Sequence, residues 1–249
     1  MYSLIAIFYS RKVHSDKDTF TMIANAPTRV VSVLLNNRNK FLPILGFPLT
    51  SENARQLDIS VHNKELQKYA NHEEYTSTLD FKNFIWLGGY GEERNIYSQA
   101  SLFSQDARCI HLGVDIAQPA NTPIYAPLNG RIHSFKNNDK PFDYGPTIIL
   151  EHVLANVHFY TLYGHLSLIS LKDLSIGQSI EAGQLVGYIG EKAENGGWNP
   201  HLHFQIISDM DNMQGDYPGV ASKEEALAML HKCPDPQLIL GFPEKPIIY

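Results

Sequence analysis

Cysteine is nearly absent: Cys109 and Cys233 are the only two in 249 residues. Two thiols can make one bridge at most, which excludes a disulfide framework, and neither sits in a Cys-x-x-Cys pattern, which excludes a thiolate zinc site. Free buried thiols are expected. Long apolar runs are also missing, since no stretch approaches the ~20 apolar residues a membrane span needs. The apolar start Met1-Tyr-Ser-Leu-Ile-Ala-Ile-Phe-Tyr-Ser10 is short, lacks a preceding basic residue and runs straight into Arg11 and Lys12. That order is wrong for a secretory signal, so the chain as written reads as soluble and cytoplasmic. Positive charge is in deficit, with 20 Lys and Arg against 26 Asp and Glu and a net charge of −6. Neither nucleic acid nor an anionic membrane is therefore an expected partner. No internal repeat or low-complexity segment is present.

What the chain has is ample core material, 43% hydrophobic and 11% aromatic, enough for one large domain with an extension. Residues 1–85 carry little recognisable chemistry and read as an α+β N-terminal extension of unknown role, packed as a separate layer beside the rest. Within it, Arg29-Val-Val-Ser-Val-Leu-Leu35 reads as a buried strand, 41–49 as a loop or edge strand, and 52–70 as a helix. Phe84-Ile-Trp-Leu-Gly-Gly-Tyr90 reads as a strand entering a glycine turn, while Glu92-Glu93-Arg94 gives no reading. Between 108 and 208 short strands alternate with turn signals, the mark of an all-β domain. Asn129-Gly130 is a turn, 147–153 and 158–166 are strands, and Gly177, Gly183, Gly187 and Gly190 punctuate very short ones. Ser222-Lys-Glu-Glu225 is a capping box opening a helix through Leu227 and Leu230, stopped by Pro234 and Pro236. The domains are thus 1–85, a β domain over 86–212, and a C-terminal helix and tail over 213–249.

Four histidines and an aspartate concentrate in three phrases: His111-Leu-Gly-Val-Asp115, Tyr163-Gly-His165-Leu-Ser167 and His201-Leu-His203-Phe-Gln205. In the last, period-two alternation sends His201, His203 and Gln205 to one face and Leu202, Phe204 and Ile206 to the other. An apolar face would anchor such a strand while the imidazoles look into a cleft. Catalytic zinc needs three protein ligands, and the candidates are His111, Asp115 and one of His201 or His203. In a straight strand His111 and Asp115 would lie about 13 Å apart, so the backbone is expected to bend near Gly113. His14, His62, His72, His133, His158 and His231 read as ordinary surface, packing or helix-end residues. His152, alternating with Ile148 and Leu150, reads as a hydrogen-bonded core residue, the alternative being a partner that orients a metal ligand.

These three phrases resemble the signature of the lysostaphin-type (LytM-like) zinc endopeptidases, peptidase family M23, over roughly residues 108–208. The resemblance implies a mainly β fold, a small antiparallel sheet or barrel-sandwich catalytic domain. It assigns one zinc ion per chain to His111, Asp115 and His203, and makes His165 and His201 the catalytic histidines that work on a zinc-activated water. It implies hydrolysis of peptide bonds, usually in peptidoglycan cross-bridges or stem peptides, and hence a periplasmic or extracellular setting. Some members use a tyrosine near the first metal histidine to assist the oxyanion; none is close here, and Tyr97 or Arg108 are the candidates for that role. The chain departs from the pattern in Glu194-Asn-Gly-Gly-Trp-Asn-Pro200, where a Ser/Thr-Gly run is common, and in Gln205, where glutamate is common. The first departure bears on specificity, since that loop should border the cleft. The alternatives are a non-catalytic or regulatory binding module on the same fold and a cytosolic metallopeptidase with another substrate. A carrier or phosphotransfer module of similar β architecture is a third reading, but no lysine of this chain occupies a Met-Lys-type hairpin tip for lipoyl attachment, and that reading leaves the three ligand positions unexplained.

Overall fold

The computed structural model describes residues 29–96 and 108–242, so His14 and Tyr97 lie outside it. One large sheet dominates, with strand order β1-β2-β4-β11-β8-β7-β6-β9. Its strands are β1 (Ala54–Leu57), β2 (Ile85–Gly88), β4 (Val114–Ala117), β6 (Gly130–Asn138), β7 (Gly145–Leu154), β8 (Val157–Gly164), β9 (Ser179–Ile180) and β11 (His201–Ile207). All neighbours are antiparallel except β1 and β2, which run parallel through a crossover over residues 58–84. Two small ribbons complete the β structure: β5 (Pro123–Tyr125) with β10 (Leu185–Tyr188), and β3 (Ile110–His111) with β12 (Val220–Ala221). No helix among the described residues is long and apolar enough to cross a membrane.

Alternation along the strands builds a core on each face. Ile148, Leu150, Tyr163, Leu202, Phe204 and Ile206 enter one, and Ile149, Leu162 and Ile207 enter the other with Leu112, Tyr144 and Tyr217. The β7–β8 hairpin turns through Ala155 and Asn156, both at positive φ (50° and 58°), the backbone a two-residue connection with the right twist requires. His152 is fully buried in this hairpin, with Nδ1 at 2.9 Å from the Asn129 carbonyl and Nε2 at 2.7 Å from Thr161 Oγ1. It is the hydrogen-bonded core residue the alternation indicates.

Two expected elements are different. Residues 29–36 form helix α1 (Arg29–Asn36), not a strand. Val30 and Leu34, one helical turn apart, enter the main core, and docking of that stripe overrides the β preference of Val30, Val31 and Val33. Residues 52–70 are not a helix but β1 followed by turns and a 3-10 turn at Leu66–Lys68. Here Asp58 Oδ1 accepts from the Ser60 N–H and Asn63 Oδ1 from the Glu65 N–H, local bonds that compete with the helical ladder. The segment beyond includes helix α2 (His72–Ser77), capped by Asn71, whose side chain accepts from the Glu74 N–H. The 85/86 boundary falls inside β2, and Ile44, Leu45, Leu49 and Ala54 share the core of the β domain.

At the C-terminal end Ser222 and Glu225 make their reciprocal contact. The Ser222 hydroxyl donates to Glu225 Oε2 and accepts from the Glu225 N–H, both at 3.2 Å. Helix α3 (Ala226–Lys232) follows, and α4 (Gln237–Leu240) comes after the prolines. Cys109 and Cys233 are free.

Candidate metal centre

His111 and Asp115 come together because the chain changes sheets between them. β3 pairs with β12, the chain bends at Gly113, and β4 joins the main sheet beside β11. Register then places His203 directly opposite Asp115, whereas His201 faces Ala117. Gly113 is required at the bend, since a Cβ there would lie 2.6 Å from His203 Cε1 and Nε2.

The result is a compact triangle. His111 Nε2 lies 3.2 Å from Asp115 Oδ1, His203 Nδ1 lies 3.2 Å from the same oxygen, and the two nitrogens are 3.1 Å apart. Both ring tautomers are set from outside the triangle. His111 Nδ1–H donates to the Gly89 carbonyl at 2.9 Å, leaving Nε2 with a lone pair. Gln205 Nε2 donates to the Pro218 carbonyl, so Gln205 Oε1 faces His203 Nε2 at 2.9 Å and accepts from its N–H. That leaves the His203 Nδ1 lone pair pointing inward. Two lone pairs and a carboxylate oxygen converge with no proton between them, an arrangement a cation relieves.

His165 and His201 stand beside the triangle with ring centroids 4.3 Å apart. His165 sits at φ 60° between β8 and its following turn, an uncommon conformation for a side chain-bearing residue. Its Nδ1–H donates to the Asn195 carbonyl at 2.9 Å. His201 Nδ1–H donates to the Asn199 carbonyl at 2.7 Å, and its Nε2 lies 3.8 Å from Asp115 Oδ1. Burial lowers the pKa of both rings, with neighbouring histidines adding to the effect, so each is neutral near pH 7. Burial also lowers His111, to about 4, with Arg94 contributing. Burial works against ionisation of Asp115, but His111 and Arg94 outweigh it and hold the carboxyl well below its usual range.

Several residues at the site gave no signal in the sequence. Tyr144 packs its ring against His165 and His203 (centroids 5.6 and 5.1 Å), with its hydroxyl 3.4 Å from His203 Nε2. Among the described residues, it is the phenol in ring contact with His165 and His203. Arg94 donates to Asp115 Oδ2 at 2.6 Å across 21 positions of sequence, a separation no local pattern reveals. The 194–200 loop does border the site: Trp198 lies 6.2 Å from the His165 ring, and Phe142 packs on Trp198 at 5.4 Å.

Among known proteins, residues 109–215 match the family model of Peptidase family M23. The chain is 31% identical over 96 residues to the DD-carboxypeptidase/endopeptidase Mpg of Neisseria meningitidis serogroup B, covering 39% of this chain and 20% of that one. It is 33% identical over 97 residues to the peptidoglycan DD-endopeptidase ShyA of Vibrio cholerae, again covering 39% and 20%. It therefore spans about a fifth (20%) of the length of the curated relatives it matches. The catalytic domain of lysostaphin from Staphylococcus simulans is 24% identical, with 53% of this chain and 80% of that one covered and a TM-score of 0.38. At that score the superposition adds nothing to the fold described above. The match to peptidase family M23 spans the sheet-to-sheet bend and all five histidine and aspartate positions of the centre.

Proposed function

We propose that this domain is a zinc-dependent endopeptidase that cleaves peptide bonds of peptidoglycan cross-bridges or stem peptides. The reading rests on one observation: three inward lone pairs, 3.1–3.2 Å apart, on two imidazoles and a carboxylate. Tetrahedral zinc with bonds of about 2.0–2.1 Å spaces its ligands by about 3.3 Å, close to this triangle. Two nitrogens and one oxygen also suit a borderline ion better than calcium or magnesium. His111, Asp115 and His203 would hold the ion, leaving its fourth position open. When bound, zinc supplies Lewis acidity, lowering the pKa of coordinated water and polarising a carbonyl.

The chain's own groups do the rest. His165 and His201 each have Nδ1 committed to a backbone carbonyl, so each keeps the lone pair on Nε2, which for His201 lies 3.8 Å from Asp115 Oδ1. Being neutral, either can take a proton from water at Nε2, and the resulting imidazolium can return it to the departing amine. The side chains of Trp198 and Phe142 wall the His165 side and would exclude solvent from a bound peptide. The peptidoglycan assignment draws on the named activity of ShyA, a peptidoglycan DD-endopeptidase.

The test combines metal analysis with digestion of purified peptidoglycan and of a glycine-rich peptide library, read by mass spectrometry. The parent should carry one zinc and lose activity with a chelator. His203→Ala should lose zinc. His201→Ala and His165→Ala should keep it and lose about 10²-fold or more in turnover. Zinc without any cleavage product would favour a binding module, and exchange of the His201 and His203 outcomes would overturn the ligand assignment.

A further inference from the structure

We propose that Arg94 is a positioning residue for the metal centre, clamping one oxygen of Asp115 so that only the other is offered to the ion. This rests on the zinc reading above. Asp115 Oδ1 belongs to the triangle, while Oδ2 accepts from Arg94 Nη1 at 2.6 Å. The guanidinium is in turn fixed from behind by Glu92, whose Oε2 accepts from Arg94 Nε at 2.6 Å. Arg94 and Glu92 side chains are only 2% and 1% exposed. Taking two charges out of water is costly before pairing offsets it, so a buried pair is a poor device for stability alone. A buried guanidinium fork does give direction, because its nitrogens engage two carboxylates at fixed angles.

The surroundings are shaped for this clamp. A Cβ on Gly88 would lie 2.8 Å from Arg94 Nη2 and 3.2 Å from Asp115 Cβ, so glycine leaves the space the guanidinium fills. Arg94 Nη2 also reaches the Gly89 carbonyl at 3.4 Å, the same oxygen that accepts from His111 Nδ1. One arginine thus contacts the groups that orient two of the three candidate ligands. Backbone bonds hold its position: Arg94 N–H to the Cys109 carbonyl at 2.8 Å and His111 N–H to the Glu92 carbonyl at 3.0 Å. Glu92 Oε1 accepts from the Ile59 N–H at 3.2 Å, which ties the clamp to the β1–β2 crossover. The upstream segment thereby becomes part of the metal centre's support.

The experiment uses the full chain and two probes, Zn²⁺ by chelator competition and Co²⁺ by its visible d–d spectrum. Arg94→Gln should weaken zinc by about 10–100-fold, the range for losing a partner that orients a ligand. It should also shift the cobalt bands from the intense four-coordinate pattern towards the weaker five-coordinate one, as the freed carboxylate becomes bidentate. A merely structural arginine would lower the melting temperature of the metal-free protein without moving those bands. Arg94→Lys keeps the buried charge balance but cannot bridge both carboxylates; it reports if Arg94→Gln fails to fold, and should weaken zinc by about tenfold. Parent-like zinc affinity and an unchanged cobalt spectrum in a folded Arg94 variant would overturn the clamp alone. A parent that binds neither metal would overturn the zinc reading and the clamp with it.

Discussion

Replacing Gly113 by alanine puts the geometry of the centre under direct strain. The new Cβ would lie 2.6 Å from His203 Cε1 and Nε2 and 2.8 Å from the Phe204 carbonyl oxygen. Ordinary contact between carbon atoms begins at about 3.5 Å, so the methyl group arrives about 0.9 Å too close. Phe204 cannot retreat, because it lies within β11 opposite Val114 and between β4 and β8. The His203 ring is held by Gln205 on one side and backed by Tyr144 on the other. Either the ring swings or β4 parts from β11, and overpacking of this kind costs about 1–3 kcal/mol. Metal sites tolerate ligand displacements of only about 0.2 Å, so zinc affinity should fall by about 10–100-fold or more. The assay is urea unfolding in chelator together with zinc competition. Gly177→Ala is the control: its φ is +82° and nothing lies within 4 Å of the added Cβ. It should cost about 1–2 kcal/mol of backbone strain and leave zinc binding intact. If Gly113→Ala binds zinc like the parent and loses no more stability than Gly177→Ala, His203 does not stand where the structure puts it.

Two further predictions concern the scaffold. Burial lowers the pKa of His152 from the ordinary 6.5 to about 4, so below pH 6.5 the unfolded chain takes up a proton that the folded one refuses. Stability is then fully present above pH 6.5 and falls by about 3 kcal/mol as pH drops towards 4. Urea unfolding of metal-free parent and His152→Asn across that window should show a shallower slope for the variant, and parallel profiles would refute the assignment. Leu34 is fully buried in α1, and Leu34→Ala should cost about 2–5 kcal/mol. A loss below about 1 kcal/mol would show that α1 does not dock on the sheet as described.

Patterns of short range were legible in the sequence. Strand period alone sorted His201, His203 and Gln205 from Leu202, Phe204 and Ile206, and it marked His152 as a core residue. The distance between His111 and Asp115 along a strand demanded a bend, and the glycine between them showed where. The strands over 147–153 and 158–166, the Ser222–Glu225 contact before the C-terminal helix and the mainly β fold follow from equally local chemistry. Tertiary structure decided what depends on partners far along the chain. Residues 29–36 became a helix because Val30 and Leu34 dock together on the sheet, a contact that intrinsic preference does not encode. His203, not His201, meets Asp115 because antiparallel register pairs those two positions. Which ring nitrogens hold lone pairs follows from the carbonyl of Gly89 and the amide of Gln205, and for His165 from the carbonyl of Asn195. Arg94 and Tyr144 reach the centre only through β2–β4 pairing and the packing of β7 beside β8. Periodicity reports which way a side chain points; what it meets there is fixed only when distant strands close on one another.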